Sequence, residues 1–416
     1  MKILINIISI FVLSVSGGYS QVPYEYIKMA AENNPELKAS YREFEAALER
    51  IPQAKSLPDP ILMAGYTVWP SESMPGMEKA RVSLNQMFPW FGNLKAMGDE
   101  ATLQAESHYQ NFIDLRNNLY FQVAVAWYPL YEVNKFRQIE QENIGILNSY
   151  KNIATRIFEN GTGSMVDVLR ADIMLKDAQT RLSLLDDREE SLMAIFNNLL
   201  NRREDEAVKI PDTLYIENPV PGFNRDSLLT HNPRLKELDL KYRASEIKRE
   251  VARRQGLPNI GVGLEYMRME MQPDMGSPGR TKGALMPMVS MSLPLYRGKY
   301  KAAQEEARLM QDSYAQQMEN TLNMLSSDYS RALTDIRQQQ KMLDLFDQQI
   351  LTTSQSLSLL FRSYSNSGND FEEVLRMQQQ LLQYEKEKAS AQVELIVAQE
   401  RINYLTAKTI HSYENR

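Results

Sequence analysis

Residues 260–271 read Ile260-Gly261-Val262-Gly263-Leu264-Glu265-Tyr266-Met267-Arg268-Met269-Glu270-Met271. In an extended strand successive side chains point to opposite faces. Ile260, Val262, Leu264 and Tyr266 therefore share one face, while Gly261, Gly263 and Glu265 share the other, which Met267, Met269 and Met271 continue. Val289, Met291 and Leu293 alternate in the same way with Ser290 and Ser292, and Val82 and Leu84 with Ser83 and Asn85. Apolar-out, polar-in alternation over about ten residues is the pattern of a transmembrane barrel strand. A half-buried soluble sheet gives the same alternation. Two features outside the strands favour the barrel: the N-terminal segment, and helices far too long to cover a small sheet.

Working outward, strands are predicted at 60–69, 80–88, 259–271 and 284–293. Apolar residues at helical spacing predict a helix before each strand pair, over about 24–55 and 225–255. Leu57-Pro58 and Leu257-Pro258 end these helices, because a residue before proline avoids the helical region. After each strand pair a long polar helix is predicted, at 93–159 and 298–365. At 1.5 Å per residue, 68 residues reach about 100 Å. In the second of them Ala303, Ala307, Met310, Tyr314, Met318, Leu322, Leu325, Tyr329, Ala332 and Ile336 form a narrow stripe three or four residues apart. That is a coiled-coil seam rather than a broad globular face. Asn160-Gly161-Thr162-Gly163 and Asn366-Ser367-Gly368-Asn369 break the long helices, and return helices follow at 164–203 and 371–410.

The two halves repeat one plan. Asn34-Pro35-Glu36-Leu37-Lys38 reappears 198 residues later as Asn232-Pro233-Arg234-Leu235-Lys236, and Val168-Leu169-Arg170 reappears 206 residues later as Val374-Leu375-Arg376. Leu-Pro and Val-Ser-apolar matches fall between them in order, which indicates a tandem duplication. The expected organisation is a signal peptide at 1–20, a first repeat at 21–203, a linker at 204–224 rich in proline, and a second repeat at 225–416. Four strands cannot close a barrel, and a bilayer interior tolerates no open sheet edge. Several chains must then share one barrel, with eight strands from a dimer or twelve from a trimer.

Composition excludes most other classes. The chain has 416 residues, a formal net charge of -6, no cysteine and three histidines. The charge argues against a nucleic-acid partner. The missing thiols exclude disulfides, iron–sulfur clusters and a cysteine nucleophile. His108, His231 and His411 are too scattered to build a zinc site. No nucleophile elbow, phosphate-binding loop or dinucleotide fingerprint occurs, so neither an enzyme nor a cofactor is expected. Lys2, the apolar run Ile3 to Val15 and the small residues Gly18 and Ser20 form a secretory signal. Beyond it, no apolar run approaches the roughly 18 residues of a membrane-spanning helix.

The duplicated order, the long coiled helices, the Asn/Gly breaks followed by Val-Leu-Arg, and Gln86-Met87-Phe88-Pro89-Trp90-Phe91-Gly92 together resemble the TolC family of outer-membrane efflux proteins. The resemblance covers the whole mature chain. It implies a mainly α fold with a β-barrel: a long coiled helical tunnel in the periplasm, four transmembrane strands per chain, and a twelve-stranded barrel shared by a homotrimer. It also implies a periplasmic adaptor, an inner-membrane pump and outer-membrane lipid as partners. Gln86-Met87-Phe88-Pro89 with its aromatic and glycine is most similar to the heavy-metal efflux branch. Many members of that branch carry a lipidated cysteine after the signal. This chain has none, which implies anchoring by the barrel alone. The implied function is a passive exit duct of a tripartite efflux system. A stand-alone porin or receptor, and a periplasmic coiled-coil scaffold, are the rival readings.

Candidate sites follow. The resemblance places a constriction ring of two acids at the second break, and the matching positions here are Glu373 and Arg376. Asp167 and Arg170 are their counterparts in the first repeat. Ser164 with Asp167, and Asp370 with Glu373, also fit a capping-box spacing. Adaptor contact is expected at the breaks Asn160, Gly161, Thr162 and Gly163, and Asn366, Ser367, Gly368, Asn369 and Asp370. Asn160-Gly161-Thr162 also matches a glycosylation sequon, which a helix C-cap explains better. Phe88, Trp90, Phe91, Tyr296 and Tyr300 are candidates for an aromatic girdle at the membrane interface, or for packing where strand meets helix. Met267, Met269, Met271, Met286 and Met288 are either adaptable packing or soft ligands for Cu(I) or Ag(I).

Overall fold

The computed structural model describes residues 22–68, 77–214, 231–270, 281–367 and 370–407. Helices α1 (Tyr24–Asn33) and α2 (Pro35–Lys55) precede strands β1 (Ile61–Tyr66) and β2 (Met77–Phe88). Helices α3 (Asn93–Glu159) and α4 (Met165–Leu199) follow. The order then repeats with α5 (Pro233–Gln255), β3 (Ile260–Glu270), β4 (Thr281–Met291), α6 (Arg297–Ser367) and α7 (Phe371–Leu405). None of these helices is long and apolar enough to cross a membrane.

The first helix, expected as one piece over 24–55, is two. Pro35 has no N–H to continue α1, and Asn34 before it takes an extended conformation (φ -61°, ψ 123°). The Asn34 N–H closes α1 on Ala30 O at 2.9 Å, while its side-chain oxygen accepts the Leu37 N–H at 3.0 Å. One asparagine thus ends one helix and caps the next, with proline at the first position of α2. The other boundaries shift by a few residues. Among these, α6 runs to Ser367, two residues past the expected end, and α4 stops at Leu199, before the left-handed Asn201 (φ 51°).

The chain divides into two compact units, each drawn from both halves of the sequence. One comprises 39–114 and 233–323 and contains the sheet. Its four strands lie in the order β1-β2-β3-β4, antiparallel throughout. The β2–β3 register sets Leu84 against Leu264 and Ser83 against Glu265, with a shift between Glu78 and Ala80. On one face Leu62, Val82, Leu84, Val262, Leu264, Tyr266, Leu285 and Val289 are all exposed. On the opposite face Ser83 and Glu265 are buried, and Arg81 lies 4.0 Å from Glu265. Most apolar side chains therefore share the exposed face, as the alternation predicts, with Gln86 and Arg268 the polar residues among them.

The other unit comprises the N-terminal residues to Lys38, 115–232 and 324–416. Trp127, Tyr128 and Phe196 are fully buried there. Tyr26 of α1 meets Phe196 edge-on at 5.2 Å, and the Arg202 guanidinium lies 5.2 Å above the Tyr26 ring. Residues 204–214 of the expected linker pack here: the Lys209 carbonyl accepts from Trp127 Nε1 at 3.3 Å, and Tyr26 Oη accepts the Lys209 N–H at 2.8 Å. Asn197 donates to the carbonyls of Glu204 and Glu206. Within the seam of α6, Leu325, Tyr329, Ala332 and Ile336 are buried. The seam also contains polar layers. Glu140 of α3 is fully buried and paired with Lys386 of α7, and Gln378 donates to Asn143 at 3.2 Å.

Candidate functional site

The ends of α3 and α6 and the starts of α4 and α7 converge on one apolar cluster. Tyr150, Ala154, Val168, Ala171, Leu175, Tyr364, Phe371 and Val374 are buried together. Tyr150 stacks on Phe361 at 4.9 Å, and Tyr364 packs on Phe371 at 4.5 Å. Burial pushes the phenols of Tyr150 and Tyr364 up to about 12. The Tyr364 hydroxyl makes no hydrogen bond.

The two breaks are built differently. At the first, Gly161 takes the left-handed conformation (φ 76°) that a side chain would strain. Its N–H bonds to Phe158 O at 2.9 Å, and the Thr162 N–H bonds to Ile157 O at 3.2 Å. This is a Schellman end, so the C-cap reading of Asn160-Gly161-Thr162 holds. Gly163 is needed for space as well: a Cβ there would lie 2.7 Å from Ile157 Cγ2. Ser164 then caps α4, its side chain accepting the Val166 N–H at 3.1 Å. The N-cap half of the expected capping box is present.

At the second break it is not. Asp370 is left-handed (φ 67°) and makes no side-chain cap bond. Glu373 pairs with Arg376 instead. Asn366 is exposed within α6, while Gly368 and Asn369 lie outside the described residues, as does the side chain of Ser367.

Glu373 and Arg376 form a bidentate pair on one helix face, with one contact at 3.0 Å. Arg170 lies 3.9 Å from Asp167 and reaches across to Glu372 of α7 at 2.9 Å. Sequence reasoning missed Glu372; the doubled acid Glu372-Glu373 at a helix start was the available signal. Partial burial holds the Asp167 carboxyl above its ordinary range, against the opposing pull of Arg170. One helical turn on, Lys151 (2.6 Å) and Lys176 (2.7 Å) clamp Asp172 and hold its carboxyl down to about 2. Beside these charges Met165, Val166, Leu169 and Ile173 form an exposed apolar strip on α4.

In the sheet-containing unit the five aromatic candidates separate. Phe91 and Tyr296 are the most exposed, at 80% and 85%, and Phe88 is also exposed. Trp90 is half-buried against Phe91, with ring centroids 6.2 Å apart, and Tyr300 is half-buried against the backbone side of Gly256. The junction is pinned by Arg254, which donates to Phe91 O at 3.1 Å beside the left-handed Gly92.

Met267, Met269, Met286 and Met288 share the polar face of the sheet, as their alternation predicts, and Met271 lies outside the described residues. The register adds Met63 and Met87 to the same face. Among the described residues no group of three or more histidine, aspartate or glutamate side chains could hold a metal ion.

Comparison with known proteins agrees with this architecture. The profile of the family described as "Outer membrane efflux protein" matches residues 26–195 and 224–408. No curated protein matches the chain significantly. The outer-membrane channel OprN is similar in structure, with a TM-score of 0.77 at 18% identity, covering 92% of this chain and 89% of that one. The outer membrane protein VceC of Vibrio cholerae gives a TM-score of 0.75 at 16% identity, covering 92% and 95%. The outer membrane channel MtrE of Neisseria gonorrhoeae, solved in its open state, gives 0.74 at 17% identity, covering 92% and 88%.

Proposed function

Since this chain belongs to the outer membrane efflux protein family, we propose that three copies close a shared twelve-stranded barrel, and that ion pairs at the helix ends hold the periplasmic entrance of the duct shut. The chain is an outer-membrane channel, the exit duct of a tripartite efflux system, with its helices in the periplasm. A channel of this kind moves cargo passively; the energy enters through the pump. Four strands with a mostly apolar exposed face, interrupted by Gln86 and Arg268, and two edges support the shared barrel, because a bilayer demands closure. Phe91 and Tyr296, the most exposed of the junction aromatics, suit the girdle at the interface. Mass measurement in detergent tests the trimer; a stable monomer with an intact barrel overturns it.

The observation that carries the gate is Arg170 of α4 bound to Glu372 of α7, which ties the two return helices together at their starts. Glu373 and Arg376 lie alongside, so the acid expected to repel its copies around an axis already has a neutralising partner. Opening requires these starts to separate, and the partner adaptor is what separates them. It docks on Asn160, Gly161, Thr162 and Gly163, the first three of them exposed, and on the second break. Arg376→Glu is expected to raise single-channel conductance in planar bilayers and sensitivity to large antibiotics. Wild-type conductance in both Arg376→Glu and Glu373→Gln removes the gate from this site. Cross-linking that places the adaptor on 204–224 rather than on 158–166 and 364–372 overturns the docking assignment.

A further inference from the structure

The helices of the sheet-containing unit leave a trough between them. Its first cavity, of about 310 Å³, lies among α2, α3, α5 and α6; its second, of about 280 Å³, lies among α3, α5 and α6. Both are lined by Glu100, Gln104 and Lys248, so one runs into the other. Small side chains make the room: Ala54, Ala101, Ala252 and Ala303 line the first cavity and Ala244 the second. Farther along α6 the positions of the same stripe are held by Leu322, Leu325 and Tyr329, all buried. Packed interiors hold few voids larger than a water molecule, and a cavity of about 300 Å³ reaches the range of small-molecule pockets.

Three polar groups of this lining lack the partners their chemistry calls for. Glu100 is half-buried, and burial raises its carboxyl above the ordinary range. It accepts one hydrogen bond, from the neutral Gln104 amide at 3.1 Å, and has no ion pair among the described residues. Lys248, whose charge opposes that burial, is bound to Glu306 at 2.7 Å, and Lys241 of the second cavity is bound to Glu237. Arg50, exposed at the rim of the first cavity, has no ion pair or hydrogen bond among the described residues. Ser245 lines the second cavity, is only 7% exposed, and its hydroxyl makes no hydrogen bond among the described residues. A serine inside a helix can return its hydroxyl to the carbonyl four residues back, as Ser149 and Ser330 do here at 3.0 and 2.9 Å. The free acid, the free base and the free hydroxyl all line one continuous space.

We infer that this trough binds small zwitterionic organic molecules, with an ammonium on Glu100, a carboxylate on Arg50 and an apolar body over Ala101, Ala252 and Ala303. A half-buried carboxylate without a cation is costly, and a charge-assisted hydrogen bond from an ammonium offsets that cost. A simple cation would satisfy Glu100 but leave its charge close to Arg50 and Lys248. A simple anion would satisfy Arg50 but meet the Glu100 carboxylate. A molecule carrying both charges answers both residues at once. The mostly apolar floor with a few placed polar groups is the usual make-up of a small-molecule site. Ser245 adds a hydroxyl for a polar group on the ligand body, deeper in the second cavity. The site belongs to the helical wall next to the sheet. It depends neither on the shared barrel nor on the ion pairs at the helix ends.

Three fluorescent probes of one shape test the site on the whole protein in detergent, with detergent-only titrations subtracted. Nα-dansyl-lysine carries a carboxylate and an ammonium, dansyl-norleucine only the carboxylate, and monodansylcadaverine only the ammonium. On the wild-type chain, Nα-dansyl-lysine is expected to bind saturably and at least tenfold more tightly than either of the others. Glu100→Gln is expected to weaken it at least tenfold and to leave dansyl-norleucine no weaker. Arg50→Gln is expected to weaken it likewise and to leave monodansylcadaverine no weaker. Ala101→Leu, which fills the first cavity, is expected to weaken all three, with circular dichroism confirming the fold. No saturable binding, equal affinity for the three probes, or tightest binding of a singly charged probe overturns the inference. So does unchanged Nα-dansyl-lysine binding in both Glu100→Gln and Arg50→Gln. Such a failure leaves the exit duct standing, because the duct is read by conductance and this site by binding alone.

Discussion

Arg170 and Glu372, 202 residues apart, meet at 2.9 Å and are the ion pair that joins α4 to α7 at their starts. Both are substantially exposed, so the pair adds little to overall stability. Its effect is local. Arg170→Glu is expected to raise single-channel conductance, and Arg170→Glu with Glu372→Arg to restore it. A double variant as leaky as the single one assigns the effect to something other than this pair.

Two carboxylates on α4 respond to acid in opposite senses. The Asp167 pKa is raised, chiefly by burial, so the folded state holds its proton more tightly than the unfolded state. Its contribution to stability is present below the ordinary carboxyl value of 3.8 and is lost as pH rises through the raised folded value. The Asp172 pKa is lowered to about 2 by Lys151 and Lys176. Its contribution is present above 3.8 and is lost as pH falls through about 2. Asp167→Asn should therefore remove a gain in stability on acidification, and Asp172→Asn a loss. Denaturation followed by circular dichroism across pH 2–7 separates them.

Tyr364 offers a contrast between volume and polarity. Its ring is fully buried and its hydroxyl has no hydrogen bond. Tyr364→Phe removes an unsatisfied group and should be neutral or stabilising. Tyr364→Ala should cost about 3–5 kcal/mol through the cavity it leaves. Chemical denaturation of both variants checks the order; a loss of several kcal/mol in the phenylalanine variant would show that the hydroxyl has a partner after all.

Lys386→Met should cost about 3–5 kcal/mol, because it strands the buried Glu140 carboxylate without a counter-charge. Adding Glu140→Leu should recover most of the loss. Equal stability of wild type and Lys386→Met would mean that Glu140 takes up a proton at little cost.

The strands and long helices were legible because their periods are long and unbroken: alternation over β3, and the stripe that ends at Ile336. The break at Asn34 was written as plainly, in Asn-Pro, but was absorbed into a helical period that continues on both sides. The absent cap at Asp370 was not legible, since Asp-x-x-Glu spacing says nothing of backbone handedness. Met63 stands in Ile61-Leu62-Met63-Ala64, where every residue is apolar and no alternation marks a face. Only strand register assigns it. The Arg170–Glu372 pair depends on how two helices from different repeats pack, which no local pattern encodes.

The unbroken run of α3 also restricts how such a chain can change in length. Its 67 residues form one helix, with Pro129 accommodated inside it. Deleting a single residue would turn every side chain beyond that point by about 100° around the axis. Buried positions such as Leu147, Tyr150 and Ala154 would rotate off the seam, and Glu140 would exchange places with a solvent-facing neighbour. Insertions and deletions that preserve the seam come in steps of about seven or eleven residues. Matching steps are then needed in the helices that pack along it. Divergent relatives should accordingly differ in helix length by such discrete increments, with single-residue gaps confined to the breaks and the connecting segments.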